Sequence, residues 1–331
     1  MSALILGEEE VTAHLPMGEC IEAMEAVLAA RARGEAEMPL RSVLRGSGSA
    51  GMLGLMPAYR GGGQPAYSLK AVCIFPANPA LGLDAHQGVV VLFDGATGRP
   101  AAVLNGSAVT SIRTAAVTAL ATRMLAREDS RSLAILGSGV QASAHLRSLL
   151  LVRPFAQVRV YSPNATRAGA FVERARAEHG GATRIETAAS AREALAGADV
   201  VVTATNSATP VLERAWLAAG AHVNAIGASI ASARELDVAT VAAAELFADA
   251  RESLANEAGE FRLAVAEGAI AGPDHVVAEL GEVVIGARPG RSGPSALTVF
   301  RSLGIGVEDL AAAELAVARA RAAGAGTEVE L

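Results

Sequence analysis

The chain has 331 residues, of which 51% are hydrophobic and 19% charged, a length and composition that suit about two compact domains. A net charge of −6 argues against nonspecific nucleic-acid binding. No apolar run is long enough to span a bilayer and no signal-peptide pattern opens the chain, so a cytoplasmic location with no membrane or nucleic-acid partner is expected.

Residues 18–33 place Ile21, Met24, Val27 and Leu28 at helical spacing. From residue 38 to 103 short apolar runs alternate with glycine- and proline-rich turns. The runs 52–56, 67–75, 89–93 and 101–104 read as strands of a mainly antiparallel sheet, with Asp94-Gly95 and Thr97-Gly98 as a turn. A long helix is expected from about Thr110. Strands at 133–136, 158–161, 184–187, 200–203, 222–226 and 246–248 then alternate with helices at 141–151, 167–179 and 191–196. That alternation specifies an α/β fold with a doubly wound parallel sheet. A last helix, 307–323, carries an apolar face for the first domain or a partner subunit. The expected division is a Rossmann domain over 118–301 and a second α+β domain built from both chain ends, 1–117 and 302–331. Cys20 and Cys73 are too few for a disulfide framework or a zinc site and read as small buried hydrophobes. Glu252, Glu257 and Glu260 read as the solvated face of a helix, so no metal is expected.

Strand 133–136 runs into Gly137-Ser138-Gly139-Val140-Gln141-Ala142. In this G-x-G-x-x-A pattern Gly137 permits a tight turn and Gly139 lets a pyrophosphate approach the backbone. Ala142 lets the helix pack on the strand, and the helix N-terminus offers free N–H groups to the phosphate. At the end of the next strand, where an acidic residue favours NAD, stand Ser162, Asn164 and Arg167 and no carboxylate. NADP(H) is therefore favoured over NAD(H), with Arg167 either pairing a 2′-phosphate or remaining a solvated charge.

Three cations precede that domain. Arg41 follows Met38-Pro39-Leu40, Lys70 sits inside an apolar strand, and Arg113 falls in the first turn of a helix begun near Thr110. A buried lysine is costly unless paired, and a cation in a first turn opposes the helix dipole. Either the three hold a bound carboxylate or they enter internal salt bridges.

The motifs Met38-Pro-Leu-Arg41, Ser68-Leu-Lys70, Thr110-Ser-Ile-Arg113-Thr-Ala-Ala116, Gly137-Ser-Gly-Val-Gln-Ala142, Gly220-Ala-His-Val-Asn224-Ala-Ile-Gly227, Arg234-Glu-Leu-Asp237, Gly281-Glu-Val-Val-Ile-Gly286 and Thr298-Val-Phe-Arg-Ser302-Leu-Gly304 occur in this order. Together they resemble the ornithine cyclodeaminase/mu-crystallin family. The resemblance implies a homodimer whose Arg41 and Lys70 hold a substrate carboxylate and whose Arg113 lies between substrate and cofactor. It places His86, Gln141 and Ser302 beside the cofactor, although His86 also reads as an ordinary loop histidine. Val140, Thr205 and Ile226 complete the expected cofactor contacts. In the cyclodeaminases an aspartate used as catalytic acid/base follows the Val-Asn-Ala-Ile-Gly stretch; here Ser229 stands there. An unassisted hydroxyl is no base near neutrality, so Ser229 either donates a hydrogen bond, relays a proton or is inert.

The resulting expectation is an NAD(P)H-dependent imine (ketimine) reductase or amino-acid dehydrogenase, with Lys70, Arg113 and Ser229 as its catalytic group. Ornithine cyclodeaminase, an alanine-type dehydrogenase and a non-catalytic NADP-binding protein remain the alternatives.

Overall fold

The computed structural model describes residues 2–330. In chain order the elements are β1 (Ser2–Leu6), α1 (Glu8–His14), α2 (Met17–Ala32), β2 (Ala36–Glu37), β3 (Ser42–Leu44), β4 (Met52–Arg60), β5 (Ala66–Ile74), β6 (His86–Asp94), β7 (Pro100–Asn105) and α3 (Gly106–Leu125). There follow β8 (Ser132–Leu136), α4 (Val140–Val152), β9 (Gln157–Tyr161), α5 (Ala165–His179), β10 (Arg184–Thr187), α6 (Ala191–Leu195), β11 (Val200–Thr203), β12 (His222–Ala225), α7 (Val238–Ala243) and β13 (Glu245–Ala248). The chain ends with α8 (Arg251–Glu257), α9 (Gly259–Ala266), β14 (Val276–Glu279), α10 (Leu280–Val284), β15 (Thr298–Arg301), α11 (Gly306–Ala323) and β16 (Thr327–Glu330). The residues fall into two units, Met1–Ala116 with Gly304–Leu331, and Val117–Leu303.

The first unit is a sheet in the order β16-β1-β7-β6-β5-β4-β2, with β3 also paired to β4. All pairs are antiparallel except β1 with β7. Period-two alternation gives the sheet two faces. Met56, Ala58, Lys70, Val90 and Leu104 are buried on the inner face, where α11 packs on β4, β5 and α2. The other face carries Leu55, Leu69 and Val91 half-buried and Tyr67 and Val89 exposed.

The second unit is a parallel sheet in the order β10-β9-β8-β11-β12-β15-β13-β14. The strands β11, β12 and β15 are buried at every position, as strands covered by helices on both faces must be. One apolar cluster around Val201, Val223, Leu246 and Phe261 and another around Leu133, Leu146, Val158 and Phe171 form its core. β8 is the first strand, and the order reverses between β8 and β11, which makes the ends of these strands the crevice where such sheets bind ligands. No helix of the described residues is long and apolar enough to cross a membrane.

Two expectations are corrected. α3 begins at Gly106, because the Asn105 Oδ1 accepts the Ala108 N–H at 2.9 Å and starts the helix there. Arg113 therefore lies well inside α3 and does not oppose its N-terminal dipole. Glu260 is not on a solvated face: it is 2% exposed and forms an ion pair with Arg301.

Candidate active site

In the first unit, β5 presents Lys70 to the inner face, and α3 and α11 surround it with charge. Lys70 and Arg113 are each 3% exposed. Two buried cations so placed repel each other and lose hydration, a cost that opposite charges must offset. The α11 N-terminus supplies them. Asp309 Oδ2 lies 2.7 Å from Lys70 Nζ, and Asp309 Oδ1 accepts Arg113 Nε at 2.8 Å. Glu308 Oε2 accepts Arg113 Nη1 at 3.0 Å. Both carboxylates are fully buried in the first turn of α11, where the helix dipole favours them. Arg41 Nη2 donates to the Gly304 carbonyl at 3.0 Å. Gly304 adopts φ +72°, and a Cβ there would lie 2.5 Å from Arg113 Nη1, so only glycine lets the chain pass over that guanidinium.

Burial pulls Lys70 down to about 8, with the Arg113 and Arg41 charges acting the same way and Asp309 opposing them. Burial alone would raise Asp309, but Arg113 and Lys70 outweigh it and hold the carboxyl below its ordinary value. His86, exposed at the start of β6, is held below the usual imidazole value by desolvation and by the Lys70 charge. Burial pushes Cys20 up to about 12, which leaves it an inert thiol. The three cations of the sequence are thus gathered around Asp309 and Gly304, and Lys70 and Arg113 have internal carboxylate partners.

In the second unit the glycine loop leaves β8 and enters α4. Gly137 adopts φ +126°, and a Cβ there would meet the Ala204 carbonyl oxygen at 2.4 Å. Nothing lies within 4 Å of a Cβ at Gly139, which is the N-cap of α4 and makes no side-chain cap bond. Gln141 Oε1 is buried without a hydrogen-bond partner, Val140 is 64% exposed, and Ala142 is fully buried. Open space above Gly139 and uncapped N–H groups are what a pyrophosphate-binding turn requires, and Gln141 Oε1 is left as an acceptor for a donor group of a ligand. The residues present fit a dinucleotide.

Past β9, Ser162 is half-buried and Arg167 is exposed. Asn164 Oδ1 accepts the Arg167 N–H at 3.0 Å and caps α5, so that oxygen is engaged in the fold. Thr205 and Gly227, just beyond β11 and β12, are bound together by a carboxylate. Glu235 Oε1 accepts Thr205 N and Oγ1, each at 2.7 Å, and Oε2 accepts Gly227 N at 2.6 Å and Thr203 Oγ1 at 2.9 Å. Ile226 is buried, and Ser229 is half-buried further along the same loop. Ser302 N donates to Ala225 O at 3.2 Å, which brings Ser302 to the end of β12 beside Ile226. Asp249 Oδ2 accepts Leu303 N at 2.7 Å and fixes that turn.

Sequence reasoning missed Glu308, Asp309, Glu235 and Asp249. The only signals were paired acids opening an apolar helix and an acid inside Arg234-Glu-Leu-Asp237.

A family model described as the ornithine cyclodeaminase/mu-crystallin family matches residues 1–324. Ketimine reductase mu-crystallin of Mus musculus is 37% identical over 314 residues, 94% of this chain and 95% of the mouse protein. The structure of Thermococcus litoralis Δ1-pyrroline-2-carboxylate reductase with NADH and L-proline superposes with a TM-score of 0.95 at 35% identity, covering 98% of this chain and 100% of the other. An archaeal alanine dehydrogenase dimer with bound NAD gives a TM-score of 0.93 at 33% identity, with both chains fully covered. Family model, relatives and solved structures agree over nearly the full length, and the chain belongs to the ornithine cyclodeaminase/mu-crystallin family.

Proposed function

We propose that the protein is an NAD(P)H-dependent reductase of small imines that carry a carboxylate next to the C=N carbon. The observation that carries this reading is Lys70. The chain has 28 lysines and arginines, and Lys70 is its only lysine. Arginine holds a carboxylate as well or better but stays protonated at any working pH. A lysine brought to about 8 by burial gives up a proton near neutrality. Imine reduction needs such a donor, because the nitrogen takes up one proton as its carbon is reduced.

When bound, the reduced nicotinamide supplies the hydride. The chain's own residues do the rest. Arg41 and Arg113 hold the substrate carboxylate, and Lys70 delivers the proton to the nitrogen and recovers one from solvent. Gly137, Gly139, Val140 and Gln141 receive the dinucleotide phosphates. Thr205, Ile226, Ser229 and Ser302, near the ends of β11, β12 and β15, are the second unit's candidates to receive the nicotinamide, and His86 and Arg113 are the first unit's candidates. Ser162, Asn164 and Arg167 offer the ribose no carboxylate, which supports NADP(H) over NAD(H). A serine where cyclodeaminases use an aspartate supports reduction over cyclodeamination. The apolar outer face of the first unit's sheet, with Leu55, Leu69, Val91, Tyr67 and Val89, supports a homodimer formed through that face. Nicotinamide-coupled reduction and the free Cys20 and Cys73 suit a cytoplasmic enzyme.

The test follows loss of reduced-nicotinamide absorbance with five- and six-membered cyclic imine carboxylates, using NADPH and NADH in turn, beside ornithine with NAD. Imine-dependent oxidation of NADPH without proline from ornithine supports the reading. Proline and ammonia from ornithine with no net redox change would replace it with cyclodeamination, and dinucleotide binding without any turnover would replace it with a binding protein.

A further inference from the structure

Asp309 is as fully buried as Glu308 and is the anion of the first unit's cluster that touches both of its buried cations. It is 0% exposed, with one oxygen 2.7 Å from Lys70 Nζ and the other accepting Arg113 Nε at 2.8 Å. The groups whose charge faces Lys70 come from every neighbouring element: Asp309 from α11, Arg113 from α3, Arg41 from the segment before β3 and His86 from β6. Glu308 and Cys20 stand one step back, against Arg113. Of these, Asp309 alone is an anion in contact with the ammonium. Removing it leaves a lysine among cations in a dry site, where the neutral amine is favoured.

We propose that Asp309 is a positioning residue that acts through Lys70: it keeps the ammonium charged and fixes its tip relative to the Arg113 guanidinium, so that the substrate nitrogen meets a proton at Nζ. The inference rests on the donor role given to Lys70 above. The lysine stem has four flexible carbons, whereas the Arg113–Asp309 contact is held by a planar guanidinium. Pinning Nζ to the second oxygen of that carboxylate makes proton donor and carboxylate anchor one rigid unit. In the step itself one Nζ–H bond breaks and one N–H bond forms at the imine nitrogen; a reduced nicotinamide, when bound, would supply the hydride that the imine carbon takes up. Lys70 is left as a neutral amine beside the still ionised Asp309 and regains its proton from water.

Having one lysine makes the test direct. Protein grown with [13C]lysine gives a single lysine side-chain resonance set, whose pH titration reads Lys70 without substrate or cofactor. The expected wild-type midpoint is about 8. In Asp309→Asn the midpoint should fall by roughly one pH unit or more. The alkaline limb of kcat/KM for imine reduction should move with it, giving about a fivefold or larger loss of rate at pH 8 while dinucleotide affinity stays unchanged. An unmoved midpoint overturns the proposal, and so does a moved midpoint with an unmoved rate limb. A wild-type protein that reduces no imine overturns the donor role on which the proposal rests; it is told apart from a failure of Asp309 alone because the resonance is read without turnover. If Asp309→Asn does not fold, Lys70→Arg decides. It keeps the Asp309 pair and should lose about a hundredfold in kcat with little change in KM, because guanidinium cannot release the proton. A Lys70→Arg enzyme with wild-type kcat overturns the proposal.

Discussion

Glu235→Gln is an isosteric change that should act as a severe one. The carboxylate is fully buried and receives four hydrogen bonds, two of them from backbone N–H groups that can only donate: Thr205 N to Oε1 and Gly227 N to Oε2. An amide has one oxygen and one NH2. Whichever way it is turned, its NH2 faces a backbone N–H, and one buried donor goes unsatisfied. That group costs about 1–3 kcal/mol, and the remaining bonds lose their charge assistance, so the total is roughly 3 kcal/mol. For a unit of this size, about 2–4 °C of melting temperature accompanies each kcal/mol, which predicts a fall of roughly 6–12 °C. The same contacts hold the ends of β11 and β12 in register beside the ligand crevice, so dinucleotide affinity should fall as well. Scanning calorimetry and fluorescence titration with NADPH read the two effects. A variant melting within about a degree of wild type with unchanged affinity would refute the donor-clash argument.

Gly304→Ala places a Cβ 2.5–2.9 Å from the Arg113 guanidinium at a positive φ; KM for the imine carboxylate should rise about tenfold or more with dinucleotide affinity intact, as read by steady-state kinetics. Gly137→Ala drives a Cβ against the Ala204 carbonyl at 2.4 Å, and dinucleotide binding by titration should be lost. Arg167→Ala should weaken NADPH binding by about tenfold and leave NADH unchanged; equal effects on both would return Arg167 to a plain surface charge. Buried His145 and His222 are held down to about 4 and about 3, mainly by desolvation. Both are neutral in the folded chain, while an unfolded histidine protonates near 6.5. Their contribution is therefore complete above about pH 6.5 and is lost as the pH falls toward the folded values, with each costing about 2 kcal/mol by pH 5. Denaturant midpoints at pH 7 and pH 5 measure this, and equal midpoints would exclude it.

The α/β fold was legible because its signals are local. Continuous apolar strands such as Val200–Thr203 and a glycine turn between strand and helix announce a parallel dinucleotide-binding sheet without any long-range information. Lys70 was legible as an anomaly, a charge inside an apolar strand. Its partner was not. Asp309 lies far along the chain in a helix whose acidic first turn looks like ordinary dipole compensation, and only the folded sheet brings it to the ammonium. Arg113 was located but misjudged, because Asn105 starts α3 a turn earlier than the apolar pattern suggests. Glu260 failed for the same reason as Asp309: a carboxylate paired inside the protein has the same local sequence as one facing water.

The first unit is assembled from both ends of the chain, and this sets an order of events during synthesis. The second unit is one continuous stretch and is complete while the segment from Gly304 onward is still to be made. Until that segment arrives, Lys70 and Arg113 have no Asp309 or Glu308, and two hydrated cations resist closure of the sheet's inner face. A helix made only after the second unit, α11, is then the one that discharges the site. A chain truncated before α11 lacks both carboxylates that face Lys70 and Arg113, so its first unit should not close its inner face over those two cations.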